Sequence, residues 1–107
     1  MITPVTIEEK LKAIKPVLKD KYSVERIGYF GSFARGDYRE DSDVDIVVSF
    51  SGSIGWKFFD LKDYLEGLLN KKVDLVTEYS IRKQWKEAIL SQVKYVWGPS
   101  SAVFMLT

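Results

Sequence analysis

Residues 43 to 50, Asp-Val-Asp-Ile-Val-Val-Ser-Phe, alternate with a period of two. Val44, Ile46 and Val48 fall on one side of such a strand, and Asp43, Asp45 and Val47 on the other. The apolar side demands a cover. The other side carries two carboxylates about 6.6 Å apart along the backbone. Flexible side chains at that spacing can converge on one cation, or on two cations about 3.5–4 Å apart. A lone D-x-D is more simply a polar strand edge facing water. A third carboxylate shifts the weighing: Asp74 lies in Lys-Val-Asp-Leu-Val-Thr, residues 72 to 77, a second strand-like run. Aspartate is a poor strand former, yet two apolar runs carry three.

The rest of the chain supplies the cover. Residues 6 to 21 read as a helix, with Ile7, Leu11, Ile14 and Leu18 at helical spacing and Thr6 with Glu9 as a capping box. Pro16 should kink it or divide it in two. Residues 24 to 30 read as a strand, and the Gly/Ser-rich stretch 51 to 55 as a flexible connection. Residues 56 to 69 read as a helix with a stripe of Phe58, Leu61, Leu65 and Leu68, ended near Asn70. Ser80 is expected to cap a last helix reaching about residue 93, with Ile81, Trp85, Ile89 and Val93 on its apolar side. Residues 94 to 97 can form a short terminal strand. Trp56, Phe58 and Phe59 are expected in the core, with an interface as the alternative. The predicted fold class is α/β (α+β): a small mixed sheet of three to five strands with helices packed mainly on one face. A single domain is expected over 1–97, followed by an apolar tail, 98–107, that could pair as a strand, pack on a partner or remain disordered.

Gly31-Ser32 follows the first strand directly. Gly-Ser after a strand is ordinarily just a turn. The functional alternative is that Gly31 lets the backbone approach a phosphate while Ser32 offers its hydroxyl and N–H. Ser-Phe-Ala-Arg could then open a short helix ended by Gly36, with Arg35 near the anion as a charge clamp or as an ordinary solvated arginine.

Composition narrows the chemistry. The 107 residues include no cysteine and no histidine. A general base must therefore be a carboxylate or water, and a metal site must use oxygen ligands, which favour magnesium, manganese or calcium over zinc. Net charge is +1, so no global basic excess calls for a nucleic-acid backbone. The charge is uneven: residues 35 to 45 hold five acids against two bases. No apolar run approaches the roughly 20 residues that span a bilayer, and a cytoplasmic protein is the default expectation.

Gly31-Ser32, ten residues, Asp43-x-Asp45 and a later Asp74 together resemble the DNA polymerase β-type nucleotidyltransferase superfamily. The longer stretch GSFARGDYREDSDVDIVV, with LKDYLEGLLNKKVDLVT and AILSQVKYVW, resembles its minimal nucleotidyltransferase (MNT) branch, the antitoxin partners of HEPN toxins. The likeness runs from about residue 6 to 97. It implies the nucleotidyltransferase fold, with four or five strands. It implies that Gly31 and Ser32 hold nucleotide phosphates, and that Asp43, Asp45 and Asp74 bind Mg2+ (or Mn2+), Asp74 also helping to activate the attacking hydroxyl. The implied reaction is AMP transfer from ATP to a tyrosine of a cognate HEPN RNase toxin. No membrane or direct nucleic-acid partner is expected, and a homo-oligomer or a hetero-oligomer with the toxin is compatible. Two other readings stay open: an antitoxin that neutralises by masking alone, and a small-molecule nucleotidyltransferase. The short chain weighs against the second, because an acceptor pocket usually needs a further domain.

Overall fold

Val44, Ile46 and Val48 lie fully buried at the centre of the core, where the alternation places them. They belong to strand β2, Val44–Phe50, in a computed structural model that describes residues 2–98. The elements run α1 (Pro4–Ala13), α2 (Lys15–Tyr22), β1 (Val24–Phe30), α3 (Gly31–Arg35), β2, α4 (Lys57–Leu69), β3 (Val73–Thr77), a single 3-10 turn (Glu78–Ser80), α5 (Lys83–Gln92) and β4 (Lys94–Trp97). The four strands form one mixed sheet in the order β3-β2-β1-β4. β1 is antiparallel to both β2 and β4, and β2 is parallel to β3. The short link α3 suffices between antiparallel β1 and β2. The parallel step from β2 to β3 needs a crossover, and α4 provides it.

One face of the sheet carries the core. Ile7 and Leu11 of α1, Leu18 and Tyr22 of α2, and Leu61, Leu65 and Leu69 of α4 pack on Ile27, Tyr29, Val44, Ile46, Val48, Val73 and Leu75. Each fully buried aliphatic side chain contributes about 1.5–3 kcal/mol relative to exposure. The expected stripe on α4 is rotated slightly: Leu69 is buried, while Phe58 and Leu68 pack at the margin. Tyr29 reaches through this layer to donate a 2.5 Å hydrogen bond to Glu8 of α1. Burial, reinforced by that bond, holds its phenol well above the ordinary tyrosine range.

Pro16 divides the first helical stretch in two, with the break at Ile14. The start of α1 differs from the capping-box expectation. Pro4 takes the first helical position, where its fixed φ and missing N–H cost nothing. Thr3 is therefore the cap, and its side chain accepts from the Thr6 N–H at 3.3 Å. Asn70 ends α4 in the left-handed conformation, as its residue type suggests.

The last helix departs further. Ser80 does not cap it. Thr77 Oγ1 accepts from the Ser80 N–H at 3.1 Å, which draws 78–80 into the 3-10 turn and delays α5 to Lys83. No residue of α5 is buried, and Trp85 is 58% exposed, so its apolar spacing does not mark a core stripe. Trp56 and Phe59 are also corrected from core to surface, at 85% and 57% exposed. They follow a loop that leaves the sheet, and they contact each other rather than the core. No helix is long and apolar enough to cross a membrane among the described residues. The tail expectation falls, at residues 99–107, outside the described residues.

Candidate active site

The sheet brings the sequence-selected residues to one end of β1, β2 and β3. The parallel register sets Asp45 directly beside Asp74, and the antiparallel register sets Phe30 beside Asp45. Gly31 follows Phe30 at once, so the Gly-Ser turn starts where the carboxylate pair stands. Asp43 lies one residue before β2 rather than within it, and is exposed, as is Asp74; Asp45 is half-buried.

Gly31 has a φ of +69°, a conformation that side-chain-bearing residues rarely adopt. A Cβ at that position would collide with Asp45 Oδ2. The glycine thus meets two separate demands, a left-handed backbone and room for a carboxylate. Gly36, at φ +90°, closes α3, and its N–H donates to the Ser32 carbonyl at 2.9 Å. Ser32 is half-buried in the first turn of α3. Phe33 is buried and stacks on Tyr38 with ring centroids 4.4 Å apart, anchoring the turn from beneath. Arg35 is exposed and donates from Nε to Asp37 Oδ2 at 3.2 Å. An exposed pair of this kind contributes little to stability.

The electrostatics of the cluster centre on Asp45. Its carboxyl is pushed up to about 6, first by burial and then by the negative charges of Asp74 and Asp43, with Arg35 pulling the other way. A cation here would relieve that repulsion, and the donors are all hard oxygens, which suits magnesium or manganese. Among the described residues no three such side chains are already closed around a metal position. Magnesium characteristically takes one or two protein carboxylates and completes its shell with substrate phosphates and water. The residues present therefore fit a divalent cation brought together with a nucleotide.

The other end of the same face holds a polar network that sequence reasoning missed. Arg26 of β1 grips Glu78 with two hydrogen bonds, at 3.0 Å from Nε and 2.7 Å from Nη2. Arg26 Nη2 also donates to Ser49 Oγ at 3.4 Å, and the Tyr95 hydroxyl donates to Glu78 at 2.8 Å. Burial alone would raise the Glu78 carboxyl, but the bonds from Arg26 and Tyr95 outweigh it and hold the group below its usual range. Arg26 pairs with Ser49 on the Asp45 face, opposite the core residues Ile27 and Tyr29, and nothing local in the sequence named Glu78 as its partner. The network ties β1, β2, β4 and the 3-10 turn together, about 13 Å along β2 from Asp45.

A model of the nucleotidyltransferase domain family matches residues 11–96. The chain is similar to a protein adenylyltransferase, MntA, of Thermococcus cleftensis, at 43% identity over 97 residues, 90% of this chain and 98% of the relative. A solved structure described as a minimal nucleotidyltransferase superimposes with a TM-score of 0.73 at 34% identity, covering 87% of this chain and 95% of that one. A toxin–antitoxin crystal structure with AMP-PNP gives a TM-score of 0.74 at 26% identity, covering 92% of this chain and 78% of the matched one.

Proposed function

This chain belongs to the nucleotidyltransferase domain family, and we propose that it is an antitoxin that transfers AMP from ATP to a hydroxyl, a tyrosine by family resemblance, of a cognate HEPN RNase toxin. The observation that carries this reading is the side-by-side register of Asp45 and Asp74 against the backbone of Gly31. It unites a carboxylate pair with a turn suited to phosphate. The similar chains named as a protein adenylyltransferase and as a toxin–antitoxin assembly with a nucleotide analogue support the same direction.

In this mechanism the Gly31–Ser32 turn binds the triphosphate, because residue 31 has no side chain and Ser32 offers a hydroxyl. Arg35 offsets negative charge on the phosphates. Asp43 and Asp45 would hold Mg2+, with Asp74 beside Asp45 on the neighbouring strand. When bound, the ion neutralises charge on the phosphates and polarises the α-phosphorus for attack. Asp74 orients the acceptor hydroxyl and accepts its proton. A bond forms between the acceptor oxygen and the α-phosphorus, the bond to the β-phosphate oxygen breaks in line, and pyrophosphate leaves. With no histidine in the chain, a carboxylate or water must take the proton, and Asp74 fills that role.

The test is label transfer. Purified chain, Mg2+, ATP labelled in the α-phosphate and a candidate HEPN toxin from the same genome are incubated together. Label on the toxin, lost in Asp43→Ala and Asp45→Ala, is the expected result. If both variants still silence the toxin as wild type does, neutralisation works by masking instead. The exposed Trp56 and Phe59 give that second reading a surface to use.

A further inference from the structure

Asp43 precedes β2 and has no strand neighbour of its own to hold it. It nevertheless has a fixed anchor on each side. Behind it, residues 39 to 42 close on themselves twice. The Arg39 N–H donates to Ser42 Oγ at 2.8 Å, and the Ser42 N–H donates back to the Arg39 carbonyl at 3.0 Å. Ahead of it, the Val44 N–H donates to the Lys72 carbonyl at 2.9 Å, which joins β2 to the approach of β3. Lys71 adds a clasp from that same approach, its Nζ donating to the Glu40 carbonyl at 2.5 Å. The loop carrying Asp43 is thus pinned by its own serine and by the two residues that lead towards Asp74.

The Ser42 hydroxyl is the side-chain element in the first anchor. A serine hydroxyl in a loop can bond water at little cost, but here it accepts the backbone N–H three residues back, as Ser and Thr do when they close a turn. Without it, the Arg39 N–H turns to solvent and the closure rests on one backbone bond. A metal-binding carboxylate must be held within about 0.5 Å of its productive place by groups that do not themselves touch the ion.

We propose that Ser42 is a positioning residue for Asp43, fixing the carboxylate for divalent-cation binding, with Lys71 acting in the same sense from the β3 side. The proposal rests on the reading of Asp43 as a cation ligand.

The test measures cation binding rather than turnover. Mn2+ is titrated by calorimetry into the full chain in the presence of a non-hydrolysable ATP analogue, for wild type, Ser42→Ala, Ser42→Thr, Lys71→Met and Asp43→Ala, with melting temperatures taken alongside. Loss of one hydrogen bond predicts about three- to tenfold weaker Mn2+ binding in Ser42→Ala. Ser42→Thr, which keeps the acceptor, should bind like wild type. Lys71→Met should weaken binding in the same direction, and it carries the test if Ser42→Ala does not fold. Binding lost in Asp43→Ala but within twofold of wild type in Ser42→Ala and Lys71→Met overturns the positioning role alone. Equal loss in Ser42→Thr and Ser42→Ala overturns it too, because the hydroxyl is then irrelevant. Wild-type binding retained in Asp43→Ala overturns the ligand reading, and the positioning role with it.

Discussion

The carboxylate of Asp45 occupies the space in which a side chain on residue 31 would stand. Two segments that are separate in sequence are therefore one feature in space: the phosphate-suited turn exists in this shape because the carboxylate lies against it. Gly31→Ala should suffer twice. The left-handed backbone costs about 1 kcal/mol for a residue with a Cβ, and the methyl group must also displace Asp45. Chemical denaturation should show a loss of about 1–3 kcal/mol, and label transfer should fall to background. A stable, active Gly31→Ala protein would contradict the contact.

Asp74→Asn is expected to separate stability from activity. It removes a negative charge that raises the Asp45 carboxyl, so Asp45 should titrate below its value of about 6. A carboxylate whose folded pKa is raised opposes folding once it ionises. The contribution of Asp45 to stability is fullest below the unfolded value of 3.8 and declines as pH rises through the window from 3.8 to about 6. Above that window Asp74→Asn should melt at or above the wild-type temperature while losing at least about a hundredfold in transfer rate. Carboxyl carbon NMR of Asp45, with calorimetry at pH 7.5, checks both halves.

Cation binding should depend on pH in the opposite sense. Protons and a divalent ion compete for Asp45, so apparent Mn2+ affinity should fall as pH drops through about 6, the value to which burial and the Asp74 and Asp43 charges raise the group. A binding constant that stays level between pH 5 and 7.5 would remove Asp45 from the ligand set.

The Arg26–Glu78 pair should contribute to stability with a different pH signature. Glu78 is held below its ordinary value, so its contribution is present above about pH 4.5 and is lost as pH falls through the lowered folded value. Glu78→Gln leaves a mostly buried arginine poorly matched and should cost about 1–3 kcal/mol at pH 7. The gap from wild type in urea midpoints should close in acid.

Trp56→Ser should be nearly neutral for folding, within about 0.5 kcal/mol, because the ring is 85% exposed. An unchanged melting temperature with weakened toxin capture would assign the ring to an interface. A large loss of stability would return it to the core.

Much of this arrangement was legible in the sequence because alternation and spacing are local. Val44, Ile46 and Val48 announced the buried face of β2, and Asp43, Asp45, Asp74 and Gly31-Ser32 announced the candidate site. What stayed hidden depended on contacts distant in sequence. Nothing around Glu78 shows that Arg26, 52 residues earlier, will grip it. The spacing of Ile81, Trp85 and Ile89 resembles a core stripe, but α1, α2 and α4 already fill the core face. Trp56 and Phe59 misled for a related reason: large apolar side chains signal burial only where the backbone turns them towards a packed layer. The start of α1 was missed through local chemistry, since Pro4 outweighed the capping pattern at Thr6.

The parallel pairing of β2 with β3 has a consequence for errors of register. Asp45 stands opposite Asp74 because Val44 stands opposite Val73 and Ile46 opposite Leu75. Sliding one strand by a single residue would turn Asp74 into the hydrophobic layer and Val73 and Leu75 out of it. The pairing that buries Val73 and Leu75 is therefore the same pairing that aligns the two carboxylates, so a register error in one is an error in the other.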